Sequence, residues 1–164
     1  MVKVRSAQTK DYESIANIIA DTYTEFNLSH FSSEELPLFL GPFKHTRSQE
    51  ETHRAALANV ITSEMLYVAE VDGEIVGVLR GRKDRLASLF VRGDHHRQGI
   101  GKKLVERFEA ESHQLGVKRI KVSASLFGIP FYKAMGYKKS TGLRKSGSFD
   151  GYGLVVQPMK KVLD

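Results

Sequence analysis

The sequence lacks cysteine altogether and has no long apolar run. The missing cysteine excludes disulfides, a cysteine nucleophile and an acyl-cysteine intermediate. No apolar stretch approaches the ~18 residues of a transmembrane helix, and residues 1–5 lack the apolar core of a secretory signal. These features predict a cytoplasmic protein that has no membrane partner.

Metal-binding patterns are also missing. The chain has six histidines, but none stands at a metal-ligand spacing and no zinc signature occurs. We therefore expect no metal. A covalent mechanism would need a serine, a lysine or a carboxylate, and a direct transfer without a protein nucleophile is simpler.

The 164 residues suit one domain, spanning 1–164, with 41% hydrophobic and 27% charged residues. The net charge of +6 favours an anionic partner without identifying it. The densest basic run holds Arg80, Arg82, Lys83 and Arg85. It is typical of a solvated turn with its strand ends, and a contact with nucleic acid or a coenzyme phosphate remains the alternative.

Hydrophobic periodicity predicts alternating strands and helices around one mixed sheet. Segment 27–48 has no readable pattern, because prolines and Gly41 interrupt short apolar clusters. The predicted helices are 11–26, 49–63, 100–115 and 129–135. The predicted strands are 2–6, 65–71, 74–80, 86–91, 117–123, 137–145 and 149–160.

Two predicted helices have well-defined apolar faces. Gly116 follows the longer one as a stop signal. The face of helix 100–115 comprises Ile100, Leu104, Val105, Phe108 and Leu115. The face of helix 49–63 comprises Ala56, Leu57, Val60 and Ile61.

A glycine-rich turn joins strand 86–91 to helix 100–115. Unpaired N–H groups and the helix dipole make such a turn an anion cradle. Gly99 and Gly101 let a pyrophosphate approach the backbone, while Arg97 and Lys102 add positive charge. The turn lacks the Gly-Lys-Ser/Thr of a P-loop and the third glycine of a Rossmann turn. Neither ATP nor a dinucleotide is favoured.

Two segments resemble motifs of the GCN5-related N-acetyltransferases. Residues 89–102 resemble motif A, Gln/Arg-x-x-Gly-x-Gly/Ala, with His96 at its first position. Residues 128–137 are similar to motif B, which ends in Phe-Tyr-x-x-x-Gly-Phe/Tyr. Ser125 stands where many members have asparagine, and Gly128 where alanine is common. The resemblance spans nearly the whole chain.

This resemblance implies an acyl-CoA N-acyltransferase-like α/β (α+β) fold, with a mostly antiparallel sheet of about six to seven strands between helices. It implies acetyl-CoA as cosubstrate and a primary amine, on a small molecule or a protein, as direct acceptor. Tyr132 would be the general acid for the CoA thiolate, and the Val91 N–H would polarise the thioester. The implied coenzyme-binding residues are Phe90, Val91, Arg97, Gln98, Gly99, Ile100, Gly101, Lys102 and Ser125.

Several assignments stay open at this stage. Tyr132 could instead be a packing residue. The oligomeric state is also open, with a homodimer as one alternative. Glu25 is a candidate general base, ahead of the histidines at 30, 45 and 95, whereas Asp94 is interpreted as a loop residue. A rival function is a non-catalytic module that senses coenzyme A or binds RNA, although specific nucleic-acid binding is not expected.

The acceptor pocket is predicted from the family arrangement to lie between segments 27–48 and 144–152. Five aromatic residues are candidates for its lining, although a place in the core is as compatible with each: Tyr23, Phe31, Phe39, Phe43 and Phe149.

Overall fold

One twisted sheet with helices on both faces organises the computed structural model, which describes residues 1–148 and 151–164. The strands are β1 (Val2–Ser6), β2 (Met65–Val71), β3 (Glu74–Arg82), β4 (Arg85–Val91), β5 (Arg119–Ser125), β6 (Lys138–Lys139), β7 (Arg144–Ser148) and β8 (Gly151–Val162). The helices are α1 (Tyr12–Phe26), α2 (Leu36–Leu40), α3 (Glu51–Ile61), α4 (Ile100–Gln114) and α5 (Ile129–Ala134). The mixed, mostly antiparallel sheet confirms the predicted fold class.

The strand order is β1-β2-β3-β4-β5-β8-β6, and β7 also pairs with β8. Within the described residues, β4 and β5 form the one parallel pair, and the other pairs are antiparallel. A parallel pair needs a crossover connection, which α4 provides. The crossover brings the first turn of α4 to the end of β4.

The sheet splits where β4 meets β5. These strands pair only at Arg85–Lys121 and Leu86–Val122. Beyond this point β4 stays paired with β3 as far as Val91, and β5 stays paired with β8 as far as Ser125. The two halves of the sheet therefore diverge and leave a gap between the ends of β4 and β5.

Helices cover both faces of this split sheet. Alternation along β2 places Tyr67 and Ala69 in the cluster under α4, and Val68 in the cluster under α1 and α3. Phe108 of α4 is fully buried, and burial of such a side chain contributes roughly 1.5–3 kcal/mol. These two apolar layers hold the edges of the gap in place.

Two predicted core positions are wrong. Ala56 is exposed, since α3 buries mainly Leu57 and Ile61. Leu115 is 58% exposed because it follows the last turn of α4. Gly116, in the left-handed region at φ 86°, then redirects the chain. Val117 packs against the core instead.

The basic run predicted that Arg80 belongs to a solvated turn, and for Arg80 this prediction is wrong. Its guanidinium is largely buried and donates to the carbonyls of Val60 and Ile61 and to Ser88 Oγ. These carbonyls belong to the last turn of α3, where backbone acceptors lack helical partners and the dipole is negative. Arg80 therefore fastens α3 to β3.

The predicted strand 137–145 is wrong as one element, because β6 and β7 are separated by residues 140–143. Gln157 Nε2 donates to the Thr141 carbonyl at 2.7 Å within this interruption. The predicted strand 149–160 corresponds to β8, while Phe149 lies outside the described residues. The unreadable segment 27–48 contains α2 and a 3-10 helix, Gly41–His45.

Candidate active site

The gap between β4 and β5 contains a cavity of about 800 Å³. Its walls come from the end of α1, the loop after β4, the first turn of α4, α5, and the β7–β8 region. Because α1 and α4 cover opposite faces, the cavity passes through the sheet from one face to the other. A ligand there can contact groups from both halves of the split sheet.

The first turn of α4 forms one end of the cavity. The backbones of Gly99 and Arg97 both adopt the left-handed region, at φ 79° and 62°. A Cβ on Gly99 would meet nothing within 4 Å. The first helical bond runs from Lys103 N to Gly99 O at 3.0 Å. The N–H groups of residues 100–102 therefore have no backbone acceptor in the described chain, and they form an anion site.

The end of β4 adds a backbone donor to the gap. Arg92 N donates to Val76 O at 2.9 Å, so the neighbouring pair Gly77–Val91 is of the non-hydrogen-bonded type. The Val91 N–H and carbonyl consequently point away from β3 and into the gap. The carbonyl accepts from His96 Nε2 at 2.6 Å, which fixes the proton on that nitrogen.

The predicted coenzyme-binding residues lie together in this wall, with the exception of Gln98. Gln98 turns into the preceding loop, where its side chain contacts His95 Nδ1 at 3.3 Å and the Asp94 carbonyl at 3.4 Å. The residues in the wall are Phe90, Val91, Arg97, Gly99, Ile100, Gly101, Lys102 and Ser125. Their binding of a coenzyme remains a prediction.

Ser125 has a local structural contact besides its place in the wall. Its Oγ accepts from the N–H of Gly128 at 3.1 Å, and the Ser125 carbonyl accepts from the same group at 2.9 Å. Gly128 is the N-cap of α5. Ser125 thus fixes the turn that carries α5 to the cavity.

Tyr132 is the predicted catalytic residue, and α5 brings it into the cavity wall. It is 6% exposed and packs edge-on against Phe131 and Tyr137. Its hydroxyl forms no hydrogen bond with any residue that the structure describes. Burial raises the pKa of Tyr132 well above its usual range, so the hydroxyl is protonated at neutral pH.

The adjacent Tyr137 has a different environment. Its hydroxyl donates to Glu109 Oε2 at 2.8 Å, and the other oxygen of Glu109 accepts from Lys161 Nζ at 2.9 Å. Tyr137 does not line the cavity. Of these two buried tyrosines, Tyr132 lines the cavity and has a hydroxyl without a hydrogen-bond partner among the described residues.

An aromatic cluster that the sequence did not predict closes one side of the cavity. The Phe26 ring lies 5.0 Å from the Phe127 ring and 4.6 Å from the His96 ring. These residues come from α1, the loop after β5 and the loop after β4. The cluster therefore bridges the two halves of the sheet across the gap.

The candidate bases occupy different surroundings. Glu25 is exposed, and its Oε1 would lie 3.3 Å from a Cβ on Gly93, outside the cavity wall. His30 is exposed, and His45 stacks on His53 with 3.7 Å between ring centroids. Of the candidates, His95 lies in the wall. Asp94 is paired with Arg92 at 2.7 Å, consistent with a loop role.

The candidate aromatic lining is divided between cavity and core. Tyr23 lines the cavity, edge-on to Phe90 with 6.0 Å between ring centroids. Phe31 and Phe39 pack on each other beside it, at 4.2 Å. Phe43 is buried beneath α1 and α3. Tyr23 is thus the pocket residue of this group in the described chain.

Neither a metal site nor a membrane span emerges from the described residues. Their His, Asp and Glu side chains form no cluster of three that could hold a metal ion. Among the described helices, none has the length and apolar character required to cross a bilayer.

The chain that forms this cavity matches a known domain family. The acetyltransferase (GNAT) domain family matches residues 27–163, which is most of the chain. The chain belongs to the GNAT family. It is therefore an acetyltransferase, and the resemblance of its motifs to that family is confirmed.

Solved structures have the same GNAT fold. A GCN5-related N-acetyltransferase from Rhodopseudomonas palustris is 20% identical with a TM-score of 0.77, covering 98% of this chain and 95% of that one. PaiA N-acetyltransferase from Thermoplasma acidophilum, in complex with coenzyme A, is 15% identical with a TM-score of 0.72, covering 99% of both chains. YncA from Salmonella typhimurium, a putative acetyltransferase solved with acetyl-CoA, is 18% identical with a TM-score of 0.64, covering 100% and 95%.

Proposed function

We propose that this protein is an acetyl-CoA-dependent N-acetyltransferase that transfers the acetyl group directly to a primary amine. The observation that carries the proposal is one cavity lined both by the first turn of α4, with its unpaired N–H groups, and by Tyr132. Tyr132 acts as the general acid. No acyl-enzyme intermediate is required.

The first turn of α4 suits the pyrophosphate of the coenzyme. The N–H groups of residues 100–102 have no backbone acceptor in the described chain, and a Cβ on the adjacent Gly99 would meet nothing within 4 Å. Arg97 and Lys102 in the same wall supply mobile positive charge. The coenzyme A complex of PaiA and the acetyl-CoA complex of YncA support this choice of ligand.

The chain's own groups then account for the transfer. Acetyl-CoA supplies an acetyl thioester, whose C–S bond breaks as the new C–N bond forms. Val91 N–H, which points into the gap, donates to the acetyl carbonyl oxygen. Tyr132 gives its hydroxyl proton to the departing sulfur, and the proton that the amine loses restores the hydroxyl by way of solvent.

The attacking amine must be neutral. A lysine-like amine with a pKa of ~10.4 is mostly protonated at pH 7, which costs roughly 4.6 kcal/mol. The predominantly apolar wall lowers the amine pKa by desolvation. This effect supplies part of the activation without a carboxylate base.

Release of the CoA thiol from acetyl-CoA across a panel of primary amines tests the proposal. We expect amine-dependent release, with acetylated amine formed in equal amount. A protein that binds CoA but releases no thiol with any amine would instead be the non-catalytic module. The Tyr132→Phe variant serves as the mechanistic control.

A further inference from the structure

The acceptor end of the cavity has a distinct composition. We name it the amine end, and it is formed by Tyr23, Phe26, Phe90, Leu154 and Val156. It lies on the α1 side of the sheet, opposite the first turn of α4. Three of these residues are aromatic and two are aliphatic. The uncharged residues Thr22, Asn27 and Ser146 complete it.

The charged residues of the described wall are concentrated at the other end. The described wall contains one arginine and one lysine, Arg97 and Lys102, and both lie beside the first turn of α4. No aspartate or glutamate belongs to the described wall. Of the carboxylates on the neighbouring segments, Glu25 is exposed and lies outside the described wall, and two others have partners elsewhere. Asp21 pairs with Arg47 at 3.0 Å, and Glu35 accepts from Ser32 at 3.0 Å.

This composition selects against a polycation. A second ammonium group carried into the amine end would lose its water without gaining a counter-charge from the described wall, which is strongly unfavourable. An aromatic or compact aliphatic body would instead bury its surface against the rings of Tyr23 and Phe90. Those two rings pack edge-on against each other.

We infer that the acceptor is a small monoamine with an aromatic or compact apolar body, rather than a polyamine or an aminoglycoside-like polycation. This inference rests on the proposed function. It assigns the amine end as the specificity-determining surface, with Leu154 as a central residue. Leu154 is half-buried, lines the cavity, and packs against the cluster of Tyr23, Leu28 and Phe39.

Adjacent residues of β8 provide a matched pair of variants. Leu154→Glu places a carboxylate at the amine end. Val155→Glu places the same group one residue along the strand, at a position that is 44% exposed and outside the cavity wall. Both changes alter the net charge equally, so their difference reports on the amine end alone.

The test measures kcat/KM for 2-phenylethylamine, 1,4-diaminobutane, spermidine and a short peptide with a free N-terminus. We expect the parent protein to favour 2-phenylethylamine by on the order of tenfold or more. Leu154→Glu should reduce this preference over 1,4-diaminobutane at least tenfold, and Val155→Glu should retain it. Thermal unfolding establishes that each variant is folded.

The outcomes separate the two claims. Thiol release that favours a polyamine or the peptide would overturn the acceptor class and leave the N-acetyltransferase proposal standing. An unchanged preference in folded Leu154→Glu would also overturn the role of the amine end. Thiol release with none of the amines would overturn the proposed function and the acceptor class together. If Leu154→Glu does not fold, the preference of the parent protein decides the acceptor class.

Discussion

Gly101 lies against the edge of the Phe131 ring. A Cβ on Gly101 would be 3.2 Å from Phe131 Cε1 and 3.3 Å from its Cζ. The glycine therefore lets α5 approach the first turn of α4, and α5 carries Tyr132. The sequence predicted that Gly99 and Gly101 both make room for a pyrophosphate, and this stays a prediction: both glycines line the cavity, and a Cβ on Gly99 would meet nothing within 4 Å.

Gly101→Leu is expected to lower the free energy of unfolding by about 1–3 kcal/mol, because the added side chain overlaps Phe131. Lys103→Leu, at an exposed position of the same helix, is the control with little expected effect. Denaturant unfolding measures both. A second change, Phe131→Ala, should recover part of the loss, giving a coupling energy of about 0.5–3 kcal/mol between the sites. A Gly101→Leu protein as stable as the parent would show that the contact does not constrain α5.

Tyr132→Phe should lower kcat by at least tenfold while KM for acetyl-CoA changes little, because it removes only the proton donor. Tyr137→Phe is the matched control. It removes the hydrogen bond to Glu109, and we expect lower stability, by about 1–3 kcal/mol, with kcat retained. Steady-state kinetics and thermal unfolding distinguish the two effects. Wild-type turnover in Tyr132→Phe would end the general-acid assignment and leave a packing role.

Asp11 gives the fold a defined acid sensitivity. Its buried carboxylate pairs with Arg5 at 2.8 Å, and hydrogen bonding to Arg5 holds the pKa of Asp11 below its usual range. A lowered folded-state pKa adds stability above the unfolded pKa of ~3.9, and this stability is lost as the pH falls through the folded value.

Asp11→Asn should therefore cost about 3 kcal/mol at pH 7, and less as the pH falls below 4. Asp21→Asn disrupts the exposed pair with Arg47, where we expect less than about 1 kcal/mol. Urea unfolding at pH 7 and at pH 3 measures both variants. Equal losses at the two pH values for Asp11→Asn would contradict a charge-dependent role.

Local patterns in the sequence were sufficient to predict much of this fold. Apolar spacing predicted α1 and, apart from Leu115, the buried face of α4, and the hairpin signal predicted β2 and β3. The glycine-rich turn and the Phe-Tyr motif predicted the family, because both are short and continuous. Each depends on backbone geometry that neighbouring residues determine.

Contacts between distant segments could not be predicted in this way. The Phe26–Phe127 stack joins segments about a hundred residues apart, and neither position has a periodic signal. Arg80 looked like a surface charge because two of its acceptors belong to α3, about twenty residues earlier in the chain. The composition of the amine end likewise became visible only when β8 and α1 were brought together by the fold.

Thermal unfolding with matched coenzyme fragments tests most directly the claim that the cavity beside α4 binds acetyl-CoA. At about 100 times its dissociation constant, a ligand should stabilise the fold by about 2.7 kcal/mol. Pantetheine, which lacks the pyrophosphate and the 3′-phosphoadenosine attached to it, should stabilise the protein much less than acetyl-CoA at the same concentration. A clear rise in melting temperature with acetyl-CoA and little with pantetheine is the predicted result. Equal shifts, or no shift with saturating acetyl-CoA, would contradict a phosphate site at the start of α4.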